Sequence, residues 1–418
     1  MTNREENLEE GTAEVHCPAS VEEVQDLVKS CRRLRVFGSG HSFNGIADGA
    51  GDPVSLRRLN RVVSLDRESR TVTVEGGTTY DELAPYLHAN GYALHNLASL
   101  PHISIAGACS TATHGSGSEN GNLATAVFAI ELVDGTGEVV TLSRRGDGDR
   151  FRGAVVGLGG VGVVTKLTLD LQPAFDMTQV VYRDLPMGEL ENHFDAIMAS
   201  GYSVSLFTDW TRKTIGQVWI KRRAEEGGPR PIDRDFYGAR LATRDMHPVD
   251  GESPEPLNEQ RGVPGPWYER LPHFRMDFRW SPGSELQSEY FVPVEHGYDA
   301  IMAVQELHER IAPHQLISEI RTVAADRLWM SPCYGRDCVA IHTTWKPHRD
   351  EVVRVLPLIE RQLTPYDPVP HWGKLFTMPP AVLQSRFARL ADFRELLGRH
   401  DPEGRFRNEF LSRYVHGG

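Results

Sequence analysis

An apolar segment at residues 34–37 runs directly into the turn Gly38-Ser39-Gly40-His41-Ser42, and this junction limits the folds available to the chain. The segment has the character of a short buried strand, and the two glycines let the main chain turn where a Cβ would clash. Amides and small hydroxyls in such a turn can hold a pyrophosphate, with His41 beside whatever the pyrophosphate carries. These residues alone fit a glycine-rich turn with a surface histidine equally well, so more of the chain must decide.

The composition is that of a globular protein with room for two domains. The chain has 418 residues, 40% of them hydrophobic, and a net charge of −12 without a basic stripe, which argues against a nucleic-acid partner. Residues 1–11 are polar and no apolar run approaches membrane-spanning length, so we expect a cytoplasmic protein without a membrane contact. Five scattered cysteines fit reduced thiols better than disulfides or a metal site: Cys17, Cys31, Cys109, Cys333 and Cys338.

The first third of the chain predicts alternating helices and strands. Ser20 opens a capping box for a helix over about 21–31, which leads into the strand at 34–37 and indicates a compact β-α-β unit. The elements predicted after it are a hairpin from 62–65 and 71–75, a helix over about 80–90 and a strand near 92–94.

Residues 96–117 are dense in small and hydroxylated side chains, few of which could fill a core. Their main chain would be accessible to a long ligand lying along the segment. A flexible solvent loop is the alternative, and it is disfavoured because Leu100, Ile103 and Ile105 would anchor the segment.

The run 157–162 matches the G-x-G-x-x-G pattern of dinucleotide-binding Rossmann folds. That pattern must open a helix, whereas residues 163–171 alternate apolar and polar as a strand does. The sequence therefore argues against a Rossmann fold.

The composition changes after Pro173, and we place a domain boundary near 174–178. The middle of the chain predicts an α+β unit. Its predicted strands are 179–183, 203–208 and 216–221, and its predicted helices are about 187–200, 295–311 and 350–363. Residues 223–283 are rich in glycine, proline and charge, and we expect long ordered loops there.

Two polar pairs with a spacing of two residues occur on probable strands: Glu319 with Arg321, and His342 with Thr344. Since alternate residues of a strand face one way, each pair points to one side of a sheet. Taken alone, the pairs fit a solvated sheet face better than a binding site.

Several motifs together resemble the vanillyl-alcohol-oxidase-type FAD enzymes and, within them, the alditol oxidases. The motifs are Gly38-Ser-Gly-His-Ser-Phe, Leu100-Pro-His-Ile-Ser-x-Ala-Gly, Thr111-Ala-Thr-His-Gly-Ser-Gly, Ser318-Glu-Ile-Arg-Thr-Val, His342-Thr-Thr-Trp, His371-Trp-Gly-Lys and Asp401-Pro-Glu-Gly-Arg-Phe-Arg-Asn408. The resemblance implies an α+β protein with a two-domain PCMH-type FAD-binding fold. Residues 1–176 would form the FAD domain, 177–370 the α+β substrate (cap) domain, and 371–418 a C-terminal segment returning to the FAD domain.

The resemblance also implies a set of FAD contacts. They are Gly38, Ser39, Gly40, His41, Ser42, Ser99, Ser104, Gly107, Thr111, Ala112, Thr113, His114, Gly162, Val163 and His371. His41 occupies the linking position of the covalent members, and a neutral imidazole is a competent nucleophile near pH 7. We therefore expect FAD linked through His41, with His114 as a structural or flavin-contacting ring.

For the substrate, the resemblance implies that Ser99, Glu319, Arg321, Thr344 and Lys374 bind hydroxyl groups. His342 would deprotonate the reacting hydroxyl, while Lys374 and Arg321 supply positive charge for the reaction. The implied activity is oxidation of alditols such as xylitol and sorbitol at the terminal carbon to the aldose, with O2 reduced to H2O2. Ala98, beside Ser99, is small enough to leave O2 a path.

Two alternatives stay open at this point. An aldonolactone oxidase or dehydrogenase shares the fold, and a flavin-carrying protein without turnover would share the cofactor site. The expected partners are a small polyol and O2, without a metal, and we expect a monomer rather than an oligomer.

Overall fold

The computed structural model describes residues 14–224, 232–278 and 285–417. In the N-terminal part, residues 14–173, an antiparallel sheet contains the strands β3 Val62–Asp66, β4 Thr71–Glu75, β6 Val127–Val133, β7 Val139–Ser143 and β8 Val163–Asp170. Their order in the sheet is β3-β4-β8-β6-β7. The predicted hairpin is β3 and β4, and the glycine-rich run 157–162 is followed by β8, whose residues alternate between buried and half-buried. A strand after the glycines, rather than a helix, confirms that this run is not a Rossmann fingerprint.

Strands β1 (Leu34–Phe37) and β2 (Asp52–Ser55) form a two-stranded parallel sheet. The glycine-rich turn of residues 38–42 directly follows β1. The helix before it, α1 (Val21–Ser30), is capped by Ser20, whose Oγ accepts from the Glu23 amide. The predicted β-α-β unit is present in reduced form, because the strand before α1 is a single parallel bridge from His16 to Val54.

The remaining elements of this part are α2 Tyr80–Ala89, β5 Tyr92–Ala93, α3 Ile105–Ser110, α4 Asp149–Val155 and β9 Gln172–Pro173.

The segment 96–117, which contains α3, is ordered and packed. Ile105, Ala108 and Cys109 of α3 are buried in the main hydrophobic core. The alternative of a flexible solvent loop is therefore wrong for this segment.

A second sheet in the described residues contains ten strands, in the order β13-β14-β10-β12-β11-β17-β18-β16-β19, with β15 paired to β10. They are β10 Asp176–Pro186, β11 Ser203–Thr208, β12 Thr214–Arg223, β13 Asp235–Phe236, β14 Ala239–Leu241, β15 Gly265–Pro266, β16 Leu286–Pro293, β17 Gln315–Val323, β18 Cys338–Trp345 and β19 Val369–Pro370. Helices α5 Met187–Met198, α6 Gly297–Gln305, α7 His308–Ile311 and α8 Arg349–Leu363 belong to this part, and their apolar residues share one core with the sheet.

The three predicted strands and two of the three predicted helices of the middle region match β10 to β12, α5 and α8. The predicted single helix over 295–311 is wrong, because the chain leaves helical geometry at Leu307 (φ −92°, ψ 11°) and divides it into α6 and α7. The predicted loop region 223–283 holds β13 to β15, and its residues 225–231 and 279–283 lie outside the described ranges.

The C-terminal helices α9 Pro380–Ser385, α10 Leu390–His400 and α11 Glu409–Leu411 pack in the same core as the N-terminal part. Asn44 Nδ2 donates to the carbonyls of Trp372 (2.7 Å) and Lys374 (2.6 Å). Asn408 Nδ2 donates to the Ile46 carbonyl at 2.7 Å. These bonds fix residues 372–374 and Asn408 against the loop that follows His41. The exact domain boundaries stay predictions.

Across the described ranges, the helices are too short or too polar to cross a membrane.

Candidate active site

Two adjoining cavities have volumes of about 490 Å³ and 260 Å³. The larger is lined by residues of the N-terminal part, and the smaller lies between that part and the ten-stranded sheet. We call the larger the cradle and the smaller the inner cavity. Phe37 to Ser39, Ser42, Ser104 and Gly107 line both of them. A ligand longer than either cavity could therefore extend from one into the other.

The walls of the cradle approach so closely that they require glycine. A Cβ on Gly38 would lie 2.0 Å from Ser104 Oγ, and one on Gly76 would lie 2.0 Å from the Val164 carbonyl oxygen. The Ser104 amide donates to Ser39 Oγ at 3.2 Å, whereas Ser104 Oγ itself is buried without a hydrogen-bond partner among the described residues. Bare main chain, small hydroxyls and an unsatisfied buried oxygen fit the phosphate-bearing half of a dinucleotide such as FAD.

Most of the predicted FAD contacts line these cavities. They are Gly38, Ser39, Gly40, His41, Ser42, Ser99, Ser104, Gly107, Thr111, Thr113, His114, Gly162 and His371. Two do not. Ala112 is buried in the main core, and Val163 is buried in a separate core beneath β8, while its neighbour Val164 reaches the cradle. The prediction missed Gly76, Gly77 and Gly159, which also line the cradle.

His41 faces the inner cavity, and its ring meets Phe43 edge-on at 5.2 Å between centroids. Its side chain is accessible through the open cavity, while the walls around it desolvate the charged form of the ring. This desolvation, and then the positive charge of Lys374, lower the pKa of His41 to about 4. The ring is therefore neutral at pH 7 and its free nitrogen lone pair can act as a nucleophile.

The predicted substrate residues come together on adjacent strands of the large sheet. The register of β16, β17 and β18 places Glu289, Glu319 and His342 in one cross-strand row, with His342 between the two carboxylates. Glu319, Arg321 and His342 are each 5–6% exposed and line the inner cavity. The alternative of a solvated sheet face is wrong.

Lys374 and Ser99 reach this row from other parts of the chain. Lys374 Nζ lies 2.9 Å from His342 Nδ1, and Arg321 Nη1 donates to Ser99 Oγ at 3.4 Å. His342 Nε2 lies 2.9 Å from Thr344 Oγ1. Because an ammonium can only donate, Nδ1 of His342 is the acceptor in this arrangement and Nε2 carries the proton.

Glu289 is a central residue of the site that the sequence analysis missed. Its carboxylate is fully buried and accepts from Arg321 Nη2 at 2.6 Å and from Lys374 Nζ at 2.7 Å. His114 Nε2 lies 3.3 Å from the same carboxylate. Burial alone would raise the pKa of Glu289, but Lys374, His114 and Arg321 outweigh it and hold the pKa well below its usual value. Glu289 is thus the anion shared by a buried guanidinium and a half-buried ammonium.

The same network sets the charge of its basic members. Burial, followed by the charge of Lys374, lowers the pKa of His342 and of His371 well below the usual value. Burial also lowers the pKa of Lys374, and the attraction of Glu289 opposes that shift. The site therefore combines neutral imidazoles with a half-buried ammonium whose charge is supported chiefly by Glu289 and also by Glu319.

Comparison with known proteins places this geometry in a family. A family described as FAD binding domain matches residues 12–143, and one described as D-arabinono-1,4-lactone oxidase matches residues 274–414. Alditol oxidase from Streptomyces sp. strain IKD472 is 48% identical over 415 residues, covering 98% of each chain. L-gulono-1,4-lactone dehydrogenase from Mycobacterium tuberculosis is 28% identical and covers 95% of each chain.

Solved structures support the same fold. A solvent-stable cholesterol oxidase superimposes with a TM-score of 0.78 at 14% identity, over 96% of this chain and 94% of that one. Cholesterol oxidase from B. sterolicum gives 0.75 at 13% identity over the same shares of the two chains. The chain has an α+β two-domain PCMH-type fold and aligns with alditol oxidase over 98% of its length. It belongs to the vanillyl-alcohol-oxidase-type family of FAD-dependent oxidases, in the alditol oxidase group.

Proposed function

We propose that the protein oxidises alditols such as xylitol and sorbitol at the terminal hydroxyl to the aldose, using FAD and O2. In each turnover one alcohol carbon becomes an aldehyde and one O2 becomes H2O2. The observation that supports this most is the set of hydroxyl-binding groups in the inner cavity, directly beside the cradle. The 48% identity to alditol oxidase points to the same activity.

We infer that FAD lies in the cradle and extends into the inner cavity, where His41 is the residue to carry a covalent link. The neutral ring of His41 and its place in the inner cavity, between Ser39 and Ser42 that line both cavities, support this role. When bound, FAD accepts two electrons from the alcohol carbon and passes them to O2. Acid-precipitated protein should stay yellow and yield a flavin peptide containing His41, whereas a colourless pellet would rule out the link.

Recognition of the polyol rests on side chains that offer both donors and acceptors. Glu319 presents a carboxylate, Arg321 a guanidinium, and Ser99 and Thr344 present hydroxyls to the same cavity. A chain of hydroxyls can pair with several of them at once. An apolar alcohol would leave these buried groups unsatisfied, which costs about 1–3 kcal/mol for each.

Proton removal and charge stabilisation fall to His342 and Lys374. Nδ1 of His342 is the ring nitrogen without a proton, and in this structure it accepts a hydrogen bond from Lys374 Nζ. We infer that the reacting hydroxyl replaces Lys374 Nζ as the donor to Nδ1 and gives its proton to this nitrogen. Lys374, still bound to Glu289, then faces the substrate oxygen with its positive charge, and Arg321 adds a second cation.

We propose that O2 reaches the inner cavity past Ala98, which lines it beside Ser99 and has no side-chain atoms beyond Cβ.

We further propose that the protein is a cytoplasmic monomer.

An aldonolactone oxidase or dehydrogenase is the second candidate. The match of residues 274–414 to the D-arabinono-1,4-lactone oxidase family favours it, because those residues include Glu289, Glu319 and His342. The greater identity to alditol oxidase than to the lactone enzyme favours polyols.

The aerobic stoichiometry tests the proposal. Purified protein given xylitol should consume one O2 for each aldose formed, and added catalase should return half of that oxygen. Consumption without peroxide, or aldose formation that depends on an artificial electron acceptor, would contradict the oxidase assignment.

A further inference from the structure

Lys221 is a buried charged residue outside the site described so far. It lies on β12, is 1% exposed, and does not line either cavity. Its Nζ contacts three acceptors, namely the carbonyl oxygens of Leu271 (2.5 Å) and Pro272 (2.9 Å) and Nδ1 of His273 (3.1 Å). An ammonium has three donors, so these contacts use its full capacity. A lysine enclosed in this way has a definite structural task.

That task is to fix the ring of His273. Since Nδ1 accepts from the ammonium, the ring proton must be on Nε2, which lies 2.8 Å from Glu319 Oε1. Trp219 and Phe207 both meet the ring edge-on, with centroids 5.0 Å and 5.5 Å away. His273 therefore has a defined position, a defined tautomer and one donor aimed at the carboxylate.

Glu319 depends on this donor. Among the described residues, His273 supplies the only side-chain hydrogen bond to Glu319, because Arg321 Nε lies 3.7 Å away and outside bonding distance. With Oε1 held by His273, Oε2 is free to accept from a substrate hydroxyl. Without that bond the carboxylate could turn toward Arg321 and pair with it instead.

The segment that carries His273 also holds Ser99. The amides of His273 and Phe274 donate to the Ser99 carbonyl oxygen at 3.0 Å and 3.2 Å. Asn258 secures the segment from the other side, through its Nδ2 to the Pro272 carbonyl at 2.7 Å. One short stretch of chain thus sets the positions of two predicted hydroxyl-binding residues.

We propose that Lys221 and His273 form a positioning pair for polyol recognition, in which Lys221 sets the tautomer of His273 and His273 orients Glu319 toward the substrate hydroxyl. This inference rests on the proposed polyol activity. It assigns a role in substrate binding, so it predicts a change in KM with little change in kcat.

The charge of Lys221 should make the KM for xylitol depend on pH. Burial lowers the pKa of Lys221 to about 7, with Arg321 and Arg270 acting in the same direction and Glu319 opposing them. A neutral amine can also accept a hydrogen bond, so the ring proton can move from Nε2 to Nδ1 and donate to Lys221 Nζ. That tautomer leaves an unprotonated Nε2 facing the carboxylate. The KM for xylitol should therefore rise as pH increases through this range, and Lys221→Met should remove that rise.

Two substitutions at position 273 separate orientation from packing. His273→Phe keeps the ring and removes the donor, whereas the amide of His273→Gln can place a donor near the position of Nε2. His273→Phe should raise the KM for xylitol about 10- to 100-fold, the range expected for a lost bond to a charged group, while His273→Gln restores most of it. His400→Gln is the control, since His400 is buried 3.8 Å from Asp134 and away from both cavities. It should leave the KM unchanged.

A double-mutant cycle with Glu319→Gln completes the test. If His273 acts through Glu319, the double variant Glu319→Gln, His273→Phe should bind xylitol no worse than Glu319→Gln alone. Additive losses, or an unchanged KM in His273→Phe, would overturn the inference. If His273→Phe does not fold, ¹⁵N NMR of the wild-type ring decides, because a proton on Nδ1 contradicts the proposed tautomer. Failure of the wild type to oxidise any polyol would instead refute the proposed function.

Discussion

Replacing Glu289 by glutamine would remove the charge that neutralises Arg321 and Lys374 while keeping the size of the side chain. The carboxylate lies 2.6 Å and 2.7 Å from the two cations and is fully buried. Each attraction is about 6 kcal/mol at an effective dielectric constant of about 20. The cost of burying the carboxylate offsets part of this. Loss of one partner of a buried pair typically lowers the free energy of unfolding by about 3–5 kcal/mol, and we expect a loss of that size.

The substitution should also change the pH dependence of catalysis. Glu289 raises the pKa of Lys374 against the effect of burial, so without Glu289 the pKa of Lys374 falls further. An ammonium is lost as pH rises through its pKa, and the alkaline limb of the rate of flavin reduction should therefore move to lower pH. Stopped-flow reduction by xylitol across the pH range measures this limb, and chemical denaturation measures the stability.

Glu360→Gln is the matched control. Glu360 is also buried, but it accepts from Tyr290 and Thr377 and lies outside both cavities. It should lose stability and keep the wild-type pH profile. If Glu289→Gln keeps both the stability and the alkaline limb of the wild type, the charge network described here is wrong.

Three further predictions follow from the same geometry. Lys374→Met should slow flavin reduction by about 10²–10³, the usual loss for one preorganised electrostatic partner, and polyol binding should weaken less; a wild-type reduction rate would contradict its role. Because the pKa of His342 is well below its ordinary value of 6.5, the neutral ring persists as pH falls, and kcat/KM should stay level down to about pH 6. A decline centred near 6.5 would argue against His342 as the base. Ala98→Leu should slow reoxidation by O2 in stopped-flow mixing while xylitol still reduces the flavin normally, and unchanged reoxidation would exclude this path.

The spacing of polar residues was enough to place two pairs of site residues on one face of a sheet, but not to predict that this face forms a site. Glu319 with Arg321, and His342 with Thr344, are two apart on strands, so strand alternation alone places each pair on one face. Whether that face is solvated or enclosed depends on Lys374 and on the loop at Ser99, which are distant in sequence. The motif resemblance, rather than the spacing, supplied that information.

Glu289 was missed because its position in the site depends on the register between β16 and β18. It stands in β16 among mostly apolar residues, with Gln287 two positions before it, which is the same alternation seen in β17 and β18. That spacing was a usable signal. Its pairing opposite His342 arises from the long-range alignment of β16 with β18, which no local pattern encodes.

Lys221 was missed for a different reason. It begins the run Lys221-Arg222-Arg223 at the end of an apolar strand, and such a run is typical of a solvated strand end. Only the packing of residues 271–273 over it shows that its ammonium is enclosed. Similarly, the helix expected over 295–311 satisfied a local pattern, and no glycine or proline near Leu307 marks the break that the structure has there.

Anaerobic reduction of the flavin by a panel of polyols, aldonolactones and aromatic alcohols shows which class of alcohol the active site oxidises. Xylitol or sorbitol should bleach the flavin fastest, because several of their hydroxyls can pair with Glu319, Arg321, Ser99 and Thr344 together. Faster reduction by a lactone would move the assignment to the lactone enzymes of the family. A flavin that no compound in the panel reduces would contradict catalysis at this site altogether.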